Sequence, residues 1–137
     1  MAKKVEVLPD TNVVLRYLLR DDPEQFAATE VFFEQVRTGA ERAVILEGVL
    51  IECLYVLMKR YRVSRGDAAA ALSGLLTYRG IVNHGKAWLI DALNLFAATN
   101  FDPVDCLLLA KAKSDGMRVF SFDKALNKAA AKGRPAK

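Results

Sequence analysis

Apolar residues along this chain fall into two arrangements. Some form short β-prone runs, and others return every three or four positions over longer stretches. The short runs are Val5-Glu6-Val7-Leu8, Ala43-Val44-Ile45-Leu46, Gly80-Ile81-Val82 and Arg118-Val119-Phe120-Ser121, and each reads as a short strand. The longer stretches predict helices from Thr11 to Leu19, from Asp22-Pro23 to Gly39, from Glu47 to Tyr61, and from Ser64 through Leu76. Further helices are predicted from Lys86 to Ala98, from Asp102-Pro103 to Asp115, and from Asp123 onward. Their ends carry local signals. Asp22-Pro23 and Asp102-Pro103 pair a capping acid with a proline at the first helical position, Ser64 with Asp67 forms a capping-box variant, and Gly39 and Gly116 act as stops. The expected inward stripes are Phe26, Val31, Phe32 and Val36 on the second helix, and Trp88, Leu89, Ala92, Leu93 and Phe96 on the fifth. Strands separated by helices imply crossover connections, hence an α/β domain with a mostly parallel central sheet of about four to five short strands.

Composition narrows the class. The chain has 137 residues, 53% hydrophobic and 26% charged, which suits one ordinary domain and excludes a disordered or low-complexity segment. No linker or repeat divides residues 1–137, and the tail 131–137 is expected to fray. No apolar run is long enough for a membrane span. Glu6, Pro9 and Asp10 interrupt what would be the apolar part of a signal peptide, so a cytoplasmic, reduced setting is the expectation. The two cysteines, Cys53 and Cys106, are then free core thiols, and neither has zinc-ligand spacing. No P-loop, GxGxxG or GxSxG is present.

The net charge of +4 suggests a basic nucleic-acid binder, but the excess is local. It comes from Lys124, Lys128, Lys132, Arg134 and Lys137, a stretch without acids; the rest of the chain is slightly acidic. Four of those acids hold suggestive positions. Asp10 follows the first strand, Asp123 follows the last, Asp105 lies in the first turn of the helix opened by Asp102-Pro103, and Glu52 interrupts an apolar helix. Asp10 and Asp123 each double as good N-caps, and Asp105 also suits the positive end of its helix dipole. Glu52 shares a face with Gly48, Val49, Tyr55 and Val56, where an unpaired carboxylate would be costly to bury. Taken together, carboxylates from four separated segments point to one shared site. Oxygen-only ligands suit Mg²⁺ or Mn²⁺, and such a site serves phosphodiester hydrolysis.

The residues around these acids resemble a known family. Leu8-Pro9-Asp10-Thr11-Asn12-Val13-Val14-Leu15 is similar to the opening of PIN-domain ribonucleases, and Ile51-Glu52-Cys53-Leu54-Tyr55-Val56-Leu57 to their second acidic motif. Pro103-Val104-Asp105-Cys106-Leu107-Leu108-Leu109-Ala110 resembles the third, and Val119-Phe120-Ser121-Phe122-Asp123-Lys124 the fourth. Arg16-Tyr17-Leu18-Leu19-Arg20-Asp21-Asp22-Pro23 adds similarity to VapC-type toxins of bacterial toxin–antitoxin pairs. The resemblance implies a three-layer α/β/α PIN-like domain and an Mg²⁺- or Mn²⁺-dependent endoribonuclease. Asp10, Glu52, Asp105 and Asp123 would be its catalytic and metal-binding residues, supported by Thr11, Asn12 and Ser121. It also implies a homodimer and a small antitoxin through which operator DNA is contacted indirectly. Asp102, three residues from Asp105, competes for the same role. Pro9 departs from the family pattern by removing a backbone donor.

Arg16, Arg20, Lys124 and Lys128 are candidates to meet the RNA backbone, with Arg60, Arg62 and Arg65 also in reach of phosphates. Phe26, Phe32 and Phe33 exceed what one inward stripe requires and serve either core packing or a partner. His84 reads as a loop residue. The competing class is a non-catalytic PIN-like module that binds RNA or protein, with its acids structural.

Overall fold

The computed structural model describes residues 5–132. Seven helices follow one another: α1 (Thr11–Leu19), α2 (Pro23–Thr38), α3 (Glu47–Lys59), α4 (Arg65–Leu76), α5 (Lys86–Ala98), α6 (Pro103–Asp115) and α7 (Lys124–Lys132). Their boundaries match the expected ones within about two residues. Asp22 accepts from the Gln25 amide at 3.1 Å and Ser64 from the Asp67 amide at 3.1 Å, so both predicted caps form. Gly39 closes α2 at φ 89°, a left-handed conformation that favours glycine, and donates its N–H to the Val36 carbonyl. Asp102 occupies the N-cap position of α6 but makes no side-chain cap bond. Residues 131 and 132 are helical rather than frayed, and the remainder of the expected tail, 133–137, lies outside the described residues.

The sheet departs from expectation. Among the described residues there is no extended strand, only two parallel bridges, Val7 to Ala43 and Ala43 to Ile81. Ala43 is therefore the centre of a three-segment strip. Val7 donates to the Arg42 carbonyl (2.9 Å) and accepts from Val44 (2.9 Å), while Ala43 donates to Gly80 (2.8 Å) and accepts from Val82 (2.9 Å). Two residues stop this ladder from growing. The next rung beside Val7 needs an N–H from residue 9, which is Pro9. The next rung beside Ile81 is made by a side chain: Asn83 Oδ1 accepts from Ile45 N at 2.9 Å, and Asn83 Nδ2 donates to Ile45 O at 2.6 Å. The expected fourth strand, 118–121, pairs with no segment among the described residues, and Phe120 within it and Phe122 just after it are 90% and 92% exposed.

The helices supply the core. α5 packs between α4 and α6, α1 packs on α2 and α3, α3 reaches both α4 and α6, and α7 packs on α6. One apolar cluster runs from Val14 and Phe33 through Cys53, Leu72 and Ile81 to Leu89, Phe96 and Cys106. A fully buried Leu72 or Phe33 contributes about 2–3 kcal/mol. All five expected inward residues of α5 are buried. On α2 the stripe is shifted: Thr29, Phe33 and Val36 are buried, whereas Val31 is 62% exposed. Among the described residues no helix is long and apolar enough to cross a membrane.

Candidate functional site

Asp10 sits where the first bridge segment meets α1. Its backbone is extended (φ −83°, ψ 174°), and its Oδ1 accepts from the Val13 amide at 2.9 Å, capping the helix. Thr11 is the first helical residue and half-buried, and Asn12 beside it is exposed. The Thr11 carbonyl accepts a weak bond from Cys53 Sγ at 3.9 Å, which brings the middle of α3 against the start of α1. Burial pushes the Cys53 thiol up to about 12, with the charge of neighbouring Glu52 adding in the same direction.

Glu52 itself is exposed. The residues α3 buries are Leu50, Cys53, Leu54 and Leu57, while Gly48, Glu52 and Tyr55 face out. The expected desolvation cost on Glu52 is therefore absent: Val49 and Val56 turn partly inward against the core, while Glu52 stays on the outer face with Gly48 and Tyr55.

Asp105 is half-buried in the first turn of α6, one residue before the buried Cys106. Burial raises the Cys106 thiol, the charges of Asp105 and Asp102 add to this, and Arg65 opposes it. Both acids therefore lie in one local field with Arg65 at the start of α6. Leu50, Ile51 and Leu54 of α3 face Pro103 and Leu107 of α6 across a small apolar cleft. Thus the helices bearing Glu52 and Asp105 share a cleft, and the Cys53–Thr11 contact joins α3 to the start of α1.

Asp123 is placed differently. It follows the unpaired 118–122 segment and caps α7, its Oδ1 accepting from the Leu126 amide at 2.9 Å. Ser121 braces this turn: its hydroxyl accepts from the Asp123 amide at 2.9 Å, and its carbonyl accepts from Asn127 Nδ2 at 2.8 Å. Both strand-end aspartates thus act as helix caps.

The donor set, four carboxylates without a histidine or thiolate partner, suits a hard divalent cation. Among the described residues no three of His, Cys, Asp and Glu stand together, whereas Mg²⁺ is commonly held by one or two carboxylates with water completing its shell.

The candidate RNA-contacting cations divide into two groups. Arg16 is engaged internally: Nη1 pairs with Asp21 at 2.8 Å, Nη2 donates to Tyr61 Oη at 3.0 Å, and Nε is buried without a hydrogen-bond partner. Arg65 donates to the carbonyls of Phe96 and Phe101. By contrast Arg20 is exposed, with its guanidinium 5.0 Å from the Phe26 ring centre, and Lys124 and Lys128 lie exposed on α7. Two of the three phenylalanines of α2 serve the interior: Phe33 is fully buried and stacks on Tyr17 at 4.4 Å, and Phe32 meets Phe33 edge-on at 5.0 Å. Sequence reasoning missed the structural roles of Asn83 and Arg65. Their only local signals were a turn position and a place beside a cap, and neither discloses a partner distant in sequence.

A family model described as "PIN domain" matches residues 7–132. A VapC ribonuclease of Aquifex aeolicus (strain VF5) is 30% identical over 122 residues, which cover 88% of this chain and 90% of that protein. No solved structure matches. The family match spans all four acidic segments in order, and the chain belongs to the PIN-domain family, among its VapC-type members.

Proposed function

We propose that this protein is the toxin of a toxin–antitoxin pair and an endoribonuclease that hydrolyses RNA phosphodiester bonds. The observation that carries this reading is the 30% identity to a VapC ribonuclease over 88% of the chain, together with a PIN match whose range includes Asp10, Glu52, Asp105 and Asp123. Carboxylates alone cannot offset the charge developing on a phosphate, so the activity is expected to require Mg²⁺ or Mn²⁺; Asp10, Glu52, Asp105 and Asp123 are the residues that would hold the ion, and it would supply an activated water and offset phosphate charge. The chain's own residues contribute negative charge at the starts of α1 and α6, a hydroxyl turn at Ser121 that holds Asp123 in place, and exposed cations at Arg20, Lys124 and Lys128 for the RNA backbone. The reading includes a small antitoxin partner, a homodimer and action in the cytoplasm. The non-catalytic alternative has no support from the relative.

The test is direct. Purified protein incubated with bacterial transfer and ribosomal RNA should produce discrete cuts with Mg²⁺ or Mn²⁺ and none with excess EDTA. Asp10→Asn and Asp105→Asn should each lower the rate by about a hundredfold or more. Parental rates in both variants, or cutting that survives EDTA, would remove the assignment.

A further inference from the structure

Arg65 opens α4, yet its guanidinium acts on another part of the chain. Nε donates to the Phe96 carbonyl at 2.6 Å, Nη2 donates to the Phe101 carbonyl, and the guanidinium carbon lies 3.6 Å from the centre of the Phe96 ring. Phe96 is in the last turn of α5, where carbonyls lack helical partners and no basic residue of α5 is present. Arg65 supplies both a donor and a positive charge there. Phe101 lies in the short connection to α6, and its carbonyl also accepts a weak bond from Cys106 Sγ at 4.0 Å. Thr99 tightens the same turn, donating to Leu95 O at 2.8 Å and accepting from Phe101 N at 3.3 Å. Two residues after Phe101, α6 begins at Pro103, and Asp105 is its third residue. None of the ion pairs among the described residues involves Arg65. Its charge is satisfied by two carbonyls and one aromatic face, a fork geometry that lysine cannot reproduce.

We propose that Arg65 is a positioning residue for Asp105: by clamping the end of α5 to the connection before α6, it fixes the start of α6 and hence the Asp105 carboxylate. The proposal rests on the reading of Asp105 as a carboxylate of the cleavage site. A displacement of an ångström at a reacting group costs about a hundredfold in rate, so a clamp one turn away is felt in turnover before it is felt in binding.

The full chain, its Arg65→Met and Arg65→Lys variants and Asp105→Asn are compared in two measurements. One is hydrogen exchange of the amides of residues 99–107, and the other is cleavage kinetics on an oligoribonucleotide spanning a mapped cut. In Arg65→Met these amides should exchange faster, and kcat should fall about tenfold with KM changed less than about twofold. Arg65→Lys, which keeps the charge and can reach one carbonyl, should recover part of kcat. Should Arg65→Met not fold, Arg65→Lys and Arg65→Gln are read in the same way. Unchanged exchange, or parental kcat in the folded variants, overturns the proposal. A raised KM with parental kcat also overturns it, by showing that Arg65 meets the RNA instead. Parental kcat in Asp105→Asn overturns it through the site reading, and that failure is recognised because the exchange result for Arg65 still holds.

Discussion

Asn83 stands in for two backbone groups with one side chain. Its amide accepts from Ile45 N and donates to Ile45 O, completing a rung that the third segment does not itself extend to make. Ile45 is fully buried, so removing the amide leaves a donor and an acceptor without water or partner. Asn83→Leu should therefore cost about 3 kcal/mol, and Asn83→Asp, which keeps the acceptor and loses the donor, should fall between it and the parent. Urea unfolding at neutral pH measures both. At this scale the sequence was informative about residue type and mute about partner. Asp10, Asp22, Ser64 and Asp123 could be read as caps because a cap bonds within three residues of itself. The exposure of Glu52 was not legible, because its apolar neighbours do not say which side of α3 meets the core. Arg65 and Asn83 bond across gaps of more than thirty residues, which no local pattern encodes.

At the scale of elements, the helices were legible and the sheet was not. Helices close their hydrogen bonds within four residues, so capping acids, N1 prolines and stop glycines suffice to bound them. A parallel ladder depends on what lies opposite, and here Pro9 and the Asn83 side chain truncate it from two sides. What remains is tightly fitted around Gly80. Its N–H donates to Val36 O at 2.7 Å, and a Cβ at this position would lie 2.1 Å from the Glu41 carbonyl oxygen and 2.6 Å from that of Val36. Both are backbone atoms that cannot swing away. Gly80→Ala should thus destabilise by about 1–3 kcal/mol, whereas Gly74→Ala, where a Cβ meets nothing within 4 Å, should be neutral or slightly stabilising. Thermal melting of the two variants side by side separates crowding from helix propensity.

At the scale of the whole molecule, the order of the four acids was legible along the sequence, and their distances were not. Asp10, Glu52 and Asp105 ride on helices linked through the Cys53–Thr11 contact and the α3–α6 cleft, whereas Asp123 rides on a segment held by no bridge among the described residues. The same packed interior makes stability sensitive to alkaline pH. The Cys53 thiol has a folded pKa of about 12 against an ordinary value of 9.0, and Cys106 is shifted in the same direction. Between those values the unfolded chain releases a proton that the folded one keeps, so the thiol contribution is intact below about pH 9 and falls as pH rises toward 12. Unfolding free energy should decline across that window. Both thiols should resist iodoacetamide at pH 8 until the chain is unfolded, and a double Cys→Ala variant should flatten the alkaline decline. The strip centred on Ala43 also has a kinetic meaning. Each of its bridges joins segments separated by whole helices, so the chain must close two long loops before either bridge forms. Helices α1 to α6 can gather their apolar faces first, which leaves Ala43 as a late-locking latch whose truncation to glycine would speed unfolding more than it slows folding.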